Sequence, residues 1–290
     1  MQKFTKVRLI KKFIERVPDE ELCNDEIFKH FITHFPVFKE DEGCTTKVRR
    51  VFDASLHKRG KASLNDLMAK GSQLTPHILK VLLVLRLFPF LLTADISKAF
   101  LRMQLLPRDR NYTCFLARKN WEDPNSPIEV WRFKSVLFGA TSSPFLLNCS
   151  IADILAQNDF DEAIEVFVDN LFVLLEEEEG ILNAAEQLCD VFLSNAMPLH
   201  ELASNSTEAN LKFKSDGTAT DNLVLKTLGL FWDFSEDTWT INKPTFTVET
   251  ASKRSLLSDL ARIFDPLGFL AILTIRGKVI LQEAWDGVFT

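Results

Sequence analysis

Cysteine is scarce and spaced without pattern. The five residues, Cys23, Cys44, Cys114, Cys149 and Cys189, are odd in number and form no C-x-x-C pair. That argues against a zinc site or a disulfide framework and fits a reducing compartment. No apolar run reaches the roughly 18 residues that a membrane-spanning helix needs. The longest, Val81 to Leu92, is interrupted by Arg86 and Pro89. Lys and Arg break every early apolar run, so no signal peptide is expected. A cytoplasmic chain without a membrane partner follows as an expectation. There is no internal repeat. Tyrosine is nearly absent, one residue against 25 phenylalanines, and no functional reading attaches to that imbalance. Lys and Arg are missing altogether from Ser135 to Leu211.

What is present suits a folded chain. The hydrophobic content of 46% and charged content of 26% are globular values. A length of 290 residues accommodates one large domain or two ordinary ones. The net charge of −6 argues by itself against a nucleic-acid binder. Its distribution argues the other way. Lys47 to Arg118 carries 14 Lys/Arg against 4 Asp/Glu. Such segregation can set a basic groove beside an acidic metal site, or it can be two solvated faces.

Met1 to His30 has apolar residues at the three-to-four spacing of an amphipathic surface helix, with a restart after Pro18. Phe35 to Lys39 and Lys47 to Asp53 read as extended runs. On such a strand Lys47 and Arg49 share a face. Two cations there suit a polyphosphate, and equally suit a strand edge protected from aggregation. Leu74-Thr75-Pro76 opens a helix to about Phe88, and Pro89 stops it. The next apolar strand, Phe90 onwards, ends in Asp95, a carboxylate that is costly to bury without a partner. Asn111–Ala117 and Ile128–Phe133 alternate like paired strands. Phe138-Gly139 begins a loop of small residues that permits close backbone approach, and a helix follows to about Gln157. Ile164 to Leu175 is two greasy strands parted by Asp169-Asn170, which the pattern places at a hairpin tip. A helix from Ile181 to Asn195, a short strand at Met197–Glu201 and a Ser/Asn-rich tract from Ala203 to Asn210 come next. That tract suggests a boundary between lobes. The strand Thr227 to Trp232 contains Gly229, and two helices close the sequence, broken at Phe264 to Gly268.

The order of these pieces resembles the palm motifs of reverse transcriptases. The wider strings resemble the Bel/Pao class of LTR retrotransposons. They are Val51-Phe52-Asp53-Ala54-Ser55, Ser63-Leu64-Asn65-Asp66, Thr93-Ala94-Asp95-Ile96 with Ala99-Phe100, Ser143-Pro144-Phe145, Lys226 to Leu230, and Ala261 to Gly268. The resemblance covers roughly residues 36 to 287. It implies an α+β fold, the fingers and palm of a right-hand polymerase. An antiparallel palm sheet would be backed by helices, with a small thumb- or connection-like helical segment at the C-terminal end. It divides the chain into an N-terminal extension (1–35), fingers and palm (36–205), and a primer-grip strand with the thumb-like part (206–290).

The resemblance also implies roles. Asp95, Asp169 and the Ile96 carbonyl would hold two Mg²⁺ ions, with Mn²⁺ as the alternative, for nucleotidyl transfer. Lys47 and Arg49 would grip the triphosphate. Phe100 would be the steric gate against a ribose 2′-OH. Gly139 would pack against the incoming nucleotide, and Leu228-Gly229-Leu230 would be the primer grip. The implied partners are an RNA or DNA template, a nucleic-acid primer, deoxynucleoside triphosphates and the rest of a Pol polyprotein, in a virus-like particle. The family hairpin reads aromatic-Val-Asp-Asp; here it is Phe167-Val168-Asp169-Asn170. An amide thus stands at the third catalytic position, and the alternative reading is an inactive remnant that only binds nucleic acid. From about Leu225 the tail resembles the Pao retrotransposon peptidase family. It lacks the Asp-Thr/Ser-Gly of an aspartic peptidase, and no ribonuclease H or integrase segment is visible.

Overall fold

The computed structural model describes residues 12–38, 48–57, 59–120, 123–219, 224–241 and 252–287. In chain order the elements begin with β1 (Ile14–Arg16), α1 (Asp19–Leu22), β2 (Thr33–Phe38), β3 (Val48–Asp53), α2 (Leu64–Leu67) and α3 (Ile78–Val84). Next are β4 (Phe90–Ile96), α4 (Ala99–Arg102), a 3-10 turn (Pro107–Thr113), β5 (Cys114–Arg118), β6 (Ile128–Phe133) and α5 (Ser143–Ala156). Then come β7 (Ala163–Phe167), β8 (Asn170–Leu175), α6 (Gly180–Ser194), β9 (Leu199–Ser204) and α7 (Thr207–Ser215). The last are β10 (Val224–Thr227), β11 (Leu230–Asp233), β12 (Thr238–Thr240), α8 (Lys253–Ala261) and α9 (Ala271–Trp285). They form two compact units interleaved along the sequence: residues 1–75 with 97–157, and residues 76–96 with 158–290.

The first unit holds the antiparallel sheet β1-β6-β5 and the hairpin β2-β3. Its core is built on three rings. Phe52 meets Phe115 and Phe133 edge to face at 4.9 and 4.8 Å between centroids. Phenyl rings suit this place because they carry no hydroxyl that burial would have to satisfy. Over residues 12–17 the expected N-terminal helix is absent, and of the helical reading only the restart after Pro18 forms, as the short α1. Ile14-Glu15-Arg16 instead pairs as a strand with Trp131 to Phe133. Burial of Phe13, Ile14 and Val17, and an ion-pair cluster, override the helical spacing. Arg132 Nε donates to Glu15 Oε1 at 2.7 Å, and Nη2 donates to Glu21 Oε1 at 3.1 Å.

The second unit is organised by the antiparallel sheet β7-β8-β4-β9. Strand β8 reads Asn-Leu-Phe-Val-Leu-Leu and is buried from Leu171 to Leu175. Helix α6 lies against β4, β8 and β9, and its buried stripe of Ile181, Ala184, Ala185, Leu188 and Phe192 has helical period. A second sheet, β10-β11-β12, adds Leu228, Leu230 and Trp232 to the core that contains Leu91, Phe172 and Leu174. Each such side chain contributes about 1.5–3 kcal/mol when fully buried. Trp232 is completely buried, and its Nε1 donates to Asp237 Oδ1 at 3.0 Å. The Ser/Asn-rich tract is densely bonded. Asn205 Oδ1 accepts from the Leu91 amide, its Nδ2 donates to the Pro89 carbonyl, and Ser206 caps α7.

The Arg132 cluster makes stability depend on pH. The Arg132 guanidinium holds the Glu21 carboxyl below its ordinary value of 4.5. A depressed carboxyl stabilises the fold above its unfolded pKa, and that stability is lost as pH falls through the folded pKa. The expected outcome is a melting temperature that drops below about pH 4.5 in the wild type and drops less in Glu21→Gln. Circular dichroism melts between pH 3 and 7 measure it. Arg132→Leu, which leaves Glu21 without its cation while Glu15 keeps Arg110, should cost about 1–3 kcal/mol at pH 7.

Candidate functional site

Strand β4 is central, so Asp95 near its end has a neighbour on either side. Asp95 pairs in register with Asn170 of β8 and with His200 of β9. The Ile96 amide donates to the Asp169 carbonyl at 3.0 Å. Asp95 and Asn170 are therefore a non-hydrogen-bonded antiparallel pair, the kind whose side chains lie closest. Asn170 Nδ2 reaches Asp169 Oδ1 at 3.4 Å. The structure thus brings Asp95, Ile96, Asp169 and Asn170 together at one end of one sheet.

The hairpin tip differs from the expected one by a residue. The two-residue turn is Val168-Asp169, and Asn170 is already the first residue of β8, opposite Phe167. Val168 carries φ of 59°, left-handed backbone at the first turn position, as in a II′ turn. A β-branched residue in that region is a genuine outlier and costs on the order of 1–3 kcal/mol. Register with β4 wins over turn preference, because a one-residue slip would turn the apolar run of β8 inside out.

A second distortion faces Asp95 from β9. The pairing passes from Thr93–Ala203 to Asp95–His200, so Glu201 and Leu202 stand opposite Ala94 alone. Glu201, at φ of 55°, makes this β-bulge. His200 Nδ1 lies 3.1 Å from the Asp95 carbonyl oxygen and 3.4 Å from Oδ2. Neither His200 nor Glu201 carries a sequence signal, since only the pairing of β9 with β4 brings them here.

The electrostatics are those of crowded anions. Asp95 is half-buried, and burial first, then the charges of Asp169 and Glu201, push its carboxyl up to about 7. Burial likewise raises Asp169, opposed by its own backbone amide and by His200. Among the described residues no group of three or more His, Cys, Asp and Glu side chains is placed to hold a metal ion. The site offers two carboxylates and backbone oxygen, a hard-oxygen set of the size Mg²⁺ takes when substrate phosphate and water complete its shell.

The remaining expected residues fall in two places. Leu228 and Gly229, at φ of 50° and 79°, form the two-residue I′ turn between β10 and β11 in the second unit. A Cβ on Gly229 would come within 2.5 Å of the Phe264 ring, which therefore covers this turn. Leu230 is buried in the core. Phe100 and Gly139 belong to the first unit. Phe100, in α4, is half-buried, outside that unit's core, and stacks edge to face on Phe138 at 4.9 Å. Gly139, at φ of 89°, accepts from Asn65 Nδ2 through its carbonyl at 2.9 Å. Arg49 lies in β3 paired with Val37, and Lys47 falls outside the described residues.

Comparison with known proteins gives two findings. Residues 252–289 match a family described as the Pao retrotransposon-like RNaseH-like domain. No curated protein matches the chain. Among solved structures, the foamy viral protease-reverse transcriptase dRH, solved in complex with double-stranded DNA, is similar with a TM-score of 0.56 and 17% identity. The match covers 88% of this chain and 37% of that one, so this chain spans little more than a third of that protein's length. The likeness is one of fold. Together the two findings show a mixed α and β chain whose fold is similar to that of part of a retroviral reverse transcriptase and whose residues 252–289 resemble a Pao retrotransposon-like domain. The match falls in the tail whose sequence resembles the Pao family, and the matched family is described as RNase H-like rather than as a peptidase.

The Asp95 shift carries a measurable sign. A carboxyl raised in the folded state costs stability once it ionises, so the penalty grows as pH rises from about 4 to about 7. Asp95→Asn should leave the melting temperature unchanged at pH 4 and raise it by roughly 2–4 °C or more at pH 8, in metal-free buffer. Equal melting of the two proteins at pH 8 would contradict the crowding of anions described above.

Proposed function

We propose that this chain is the RNA-directed DNA polymerase part of a retroelement Pol protein. Residues 36–205 would supply fingers and palm, and 206–290 the primer-grip strand and thumb-like segment. The observation that carries the reading is the juxtaposition of Asp95, near the end of β4, with Asp169 at the adjoining hairpin turn, both half-buried, the charge of Asp169 helping to raise Asp95. Two like charges kept together at a cost in stability are the mark of a site built for a cation. Mg²⁺ bound by Asp95 and Asp169, with the Ile96 carbonyl, would stabilise charge on the attacking and leaving oxygens. The protein's own part is to hold these two carboxylates in fixed register and to seat the primer end and the nucleotide beside them. The strained Val168 turn and the Glu201 bulge fix that register. The I′ turn at Leu228-Gly229 would offer backbone to the primer. The fold is supported by its likeness to an enzyme solved with double-stranded DNA, and a template–primer duplex is the corresponding partner here.

A second reading has its own observation. Asn170 sits opposite Asp95 as an amide, with one negative charge fewer for the ions. It favours a protein that binds template–primer without extending it. Ribonuclease H chemistry within residues 252–287 has less support. Asp265 there is already engaged in the turn before α9, accepting from the Phe269 and Leu270 amides.

Primer extension on poly(rA)/oligo(dT) with Mg²⁺ separates the readings. Wild-type activity is expected, with Asp95→Ala lowering it by at least about a hundredfold. Asn170→Asp should raise it about tenfold or more. Duplex binding that weakens with salt, but without extension in the wild type, would establish the second reading. Mg²⁺ should also raise the melting temperature of the wild type and not of Asp95→Asn.

A further inference from the structure

Strand β9 meets β4 in two registers. Leu92 pairs with Ser204 and Thr93 with Ala203, whereas Asp95 pairs with His200 and Ile96 with Leu199. Had the first register continued, Glu201 would stand directly opposite Asp95, and His200 opposite Ile96. Like charges directly opposite on paired strands are destabilising. One extra residue in β9 prevents that. It is Glu201 itself, at φ of 55°, a backbone region that suits glycine and strains a glutamate. At Asp95 the bulge therefore exchanges an acid for an imidazole.

The imidazole is in contact. His200 Nδ1 lies 3.1 Å from the Asp95 carbonyl oxygen and 3.4 Å from Oδ2. Both partners are acceptors, so Nδ1 carries the hydrogen and donates. The ring thus ties the carboxylate to the backbone of its own residue. On the other side of Asp95 the Asn170 amide reaches Asp169 Oδ1 at 3.4 Å, so the side-chain donor that meets Asp95 comes from β9. The His200 side chain is 43% exposed, and a substitution there removes the contact without opening the core.

We infer that His200 is the positioning residue of Asp95: through Nδ1–H it holds the carboxylate with Oδ2 towards the ring, which leaves Oδ1 to a divalent cation. The inference rests on the reading of Asp95 and Asp169 as a cation site and on no other part of the polymerase proposal. A ligating carboxylate is oriented by the group that hydrogen-bonds it, and loss of such a partner lowers metal affinity about ten- to a hundredfold. His200 acts through Asp95, since its Nδ1 is occupied by the donated hydrogen. Asn reproduces the donor, because its Nδ2 is bonded to Cγ as Nδ1 is. Leu keeps the bulk without a donor, and Gln places its N–H one atom further out.

The test is Mn²⁺ binding to the full chain, read from the electron paramagnetic resonance of the free ion, with melting in metal-free buffer as the check on folding. His200→Leu is expected to lower Mn²⁺ affinity about tenfold or more. His200→Asn should stay within about threefold of the wild type, and His200→Gln should resemble His200→Leu. A role in folding alone would not separate Asn from Leu. A long-range ¹H–¹⁵N spectrum of the wild type at pH 8 should show His200 as the Nδ1–H tautomer, and this decides even where a variant folds poorly. An Nε2–H tautomer, an affinity in His200→Leu within about twofold of the wild type, or equal losses in Leu and Asn overturns the inference. If the wild type binds Mn²⁺ in this His200-dependent way yet extends no primer, the polymerase reading falls and the positioning role stands. If it extends primers while His200→Leu binds Mn²⁺ as the wild type does, the positioning role falls alone. A wild type that binds no Mn²⁺ overturns both.

Discussion

Like-charge repulsion at one end of the four-stranded sheet is the constraint on which the site depends. β4 is central, so whatever stands near its end is flanked on two sides. Asp95 stands there, with Asn170 on one neighbour, His200 on the other and Asp169 at the adjoining turn. The anions are kept together by the apolar sheet behind them, where Leu91, Phe172 and Leu174 lie in the core. Burial supplies the stability that the carboxylates consume. The amide at 170 shifts this balance. One charge fewer there lessens the repulsion that the fold has to hold.

Strain is concentrated at the same place. Val168 and Glu201 both adopt left-handed backbone, and they flank Asp95 from the two neighbouring strands. Each is the price of register. β8 and β9 must present their apolar sides to the same core while their ends deliver polar groups to β4. A local preference for Asn or Gly at a turn is worth less than that, and it loses.

Some of this was legible in the sequence for physical reasons. β4, β8 and α6 are long, uniformly patterned and buried, so propensity and burial agree. Gly229 stood out inside an apolar run, yet that run is not the single strand it resembles: it folds back as β10 and β11 around the I′ turn at 228–229. Other readings failed where tertiary packing opposes local pattern. Lys12 to Arg16 has helical spacing, yet Ile14-Glu15-Arg16 pairs with β6 because Arg132 needs Glu15 and Glu21 beside it. The hairpin looked centred on Asp169-Asn170 because Asn and Asp favour turns, and pairing with β4 moved the tip back to Val168. Asn65 was visible only as part of the string Ser63-Leu64-Asn65-Asp66; its grip on Gly139 and Thr141 spans more than 70 residues of sequence.

The sequence alone determined which chemistry was available. An apolar strand that carries a carboxylate near its end, a second carboxylate between two greasy runs, and an amide in place of a third are facts of composition and order. Only the tertiary structure decided which of these groups meet. The four-stranded sheet brought Asp95 and Asn170 into register and added His200 and Glu201, which no local pattern marks. The reason is general. Side-chain identity and periodicity are properties of neighbours along the chain, whereas charge crowding depends on strands far apart in sequence that a shared core forces into one register.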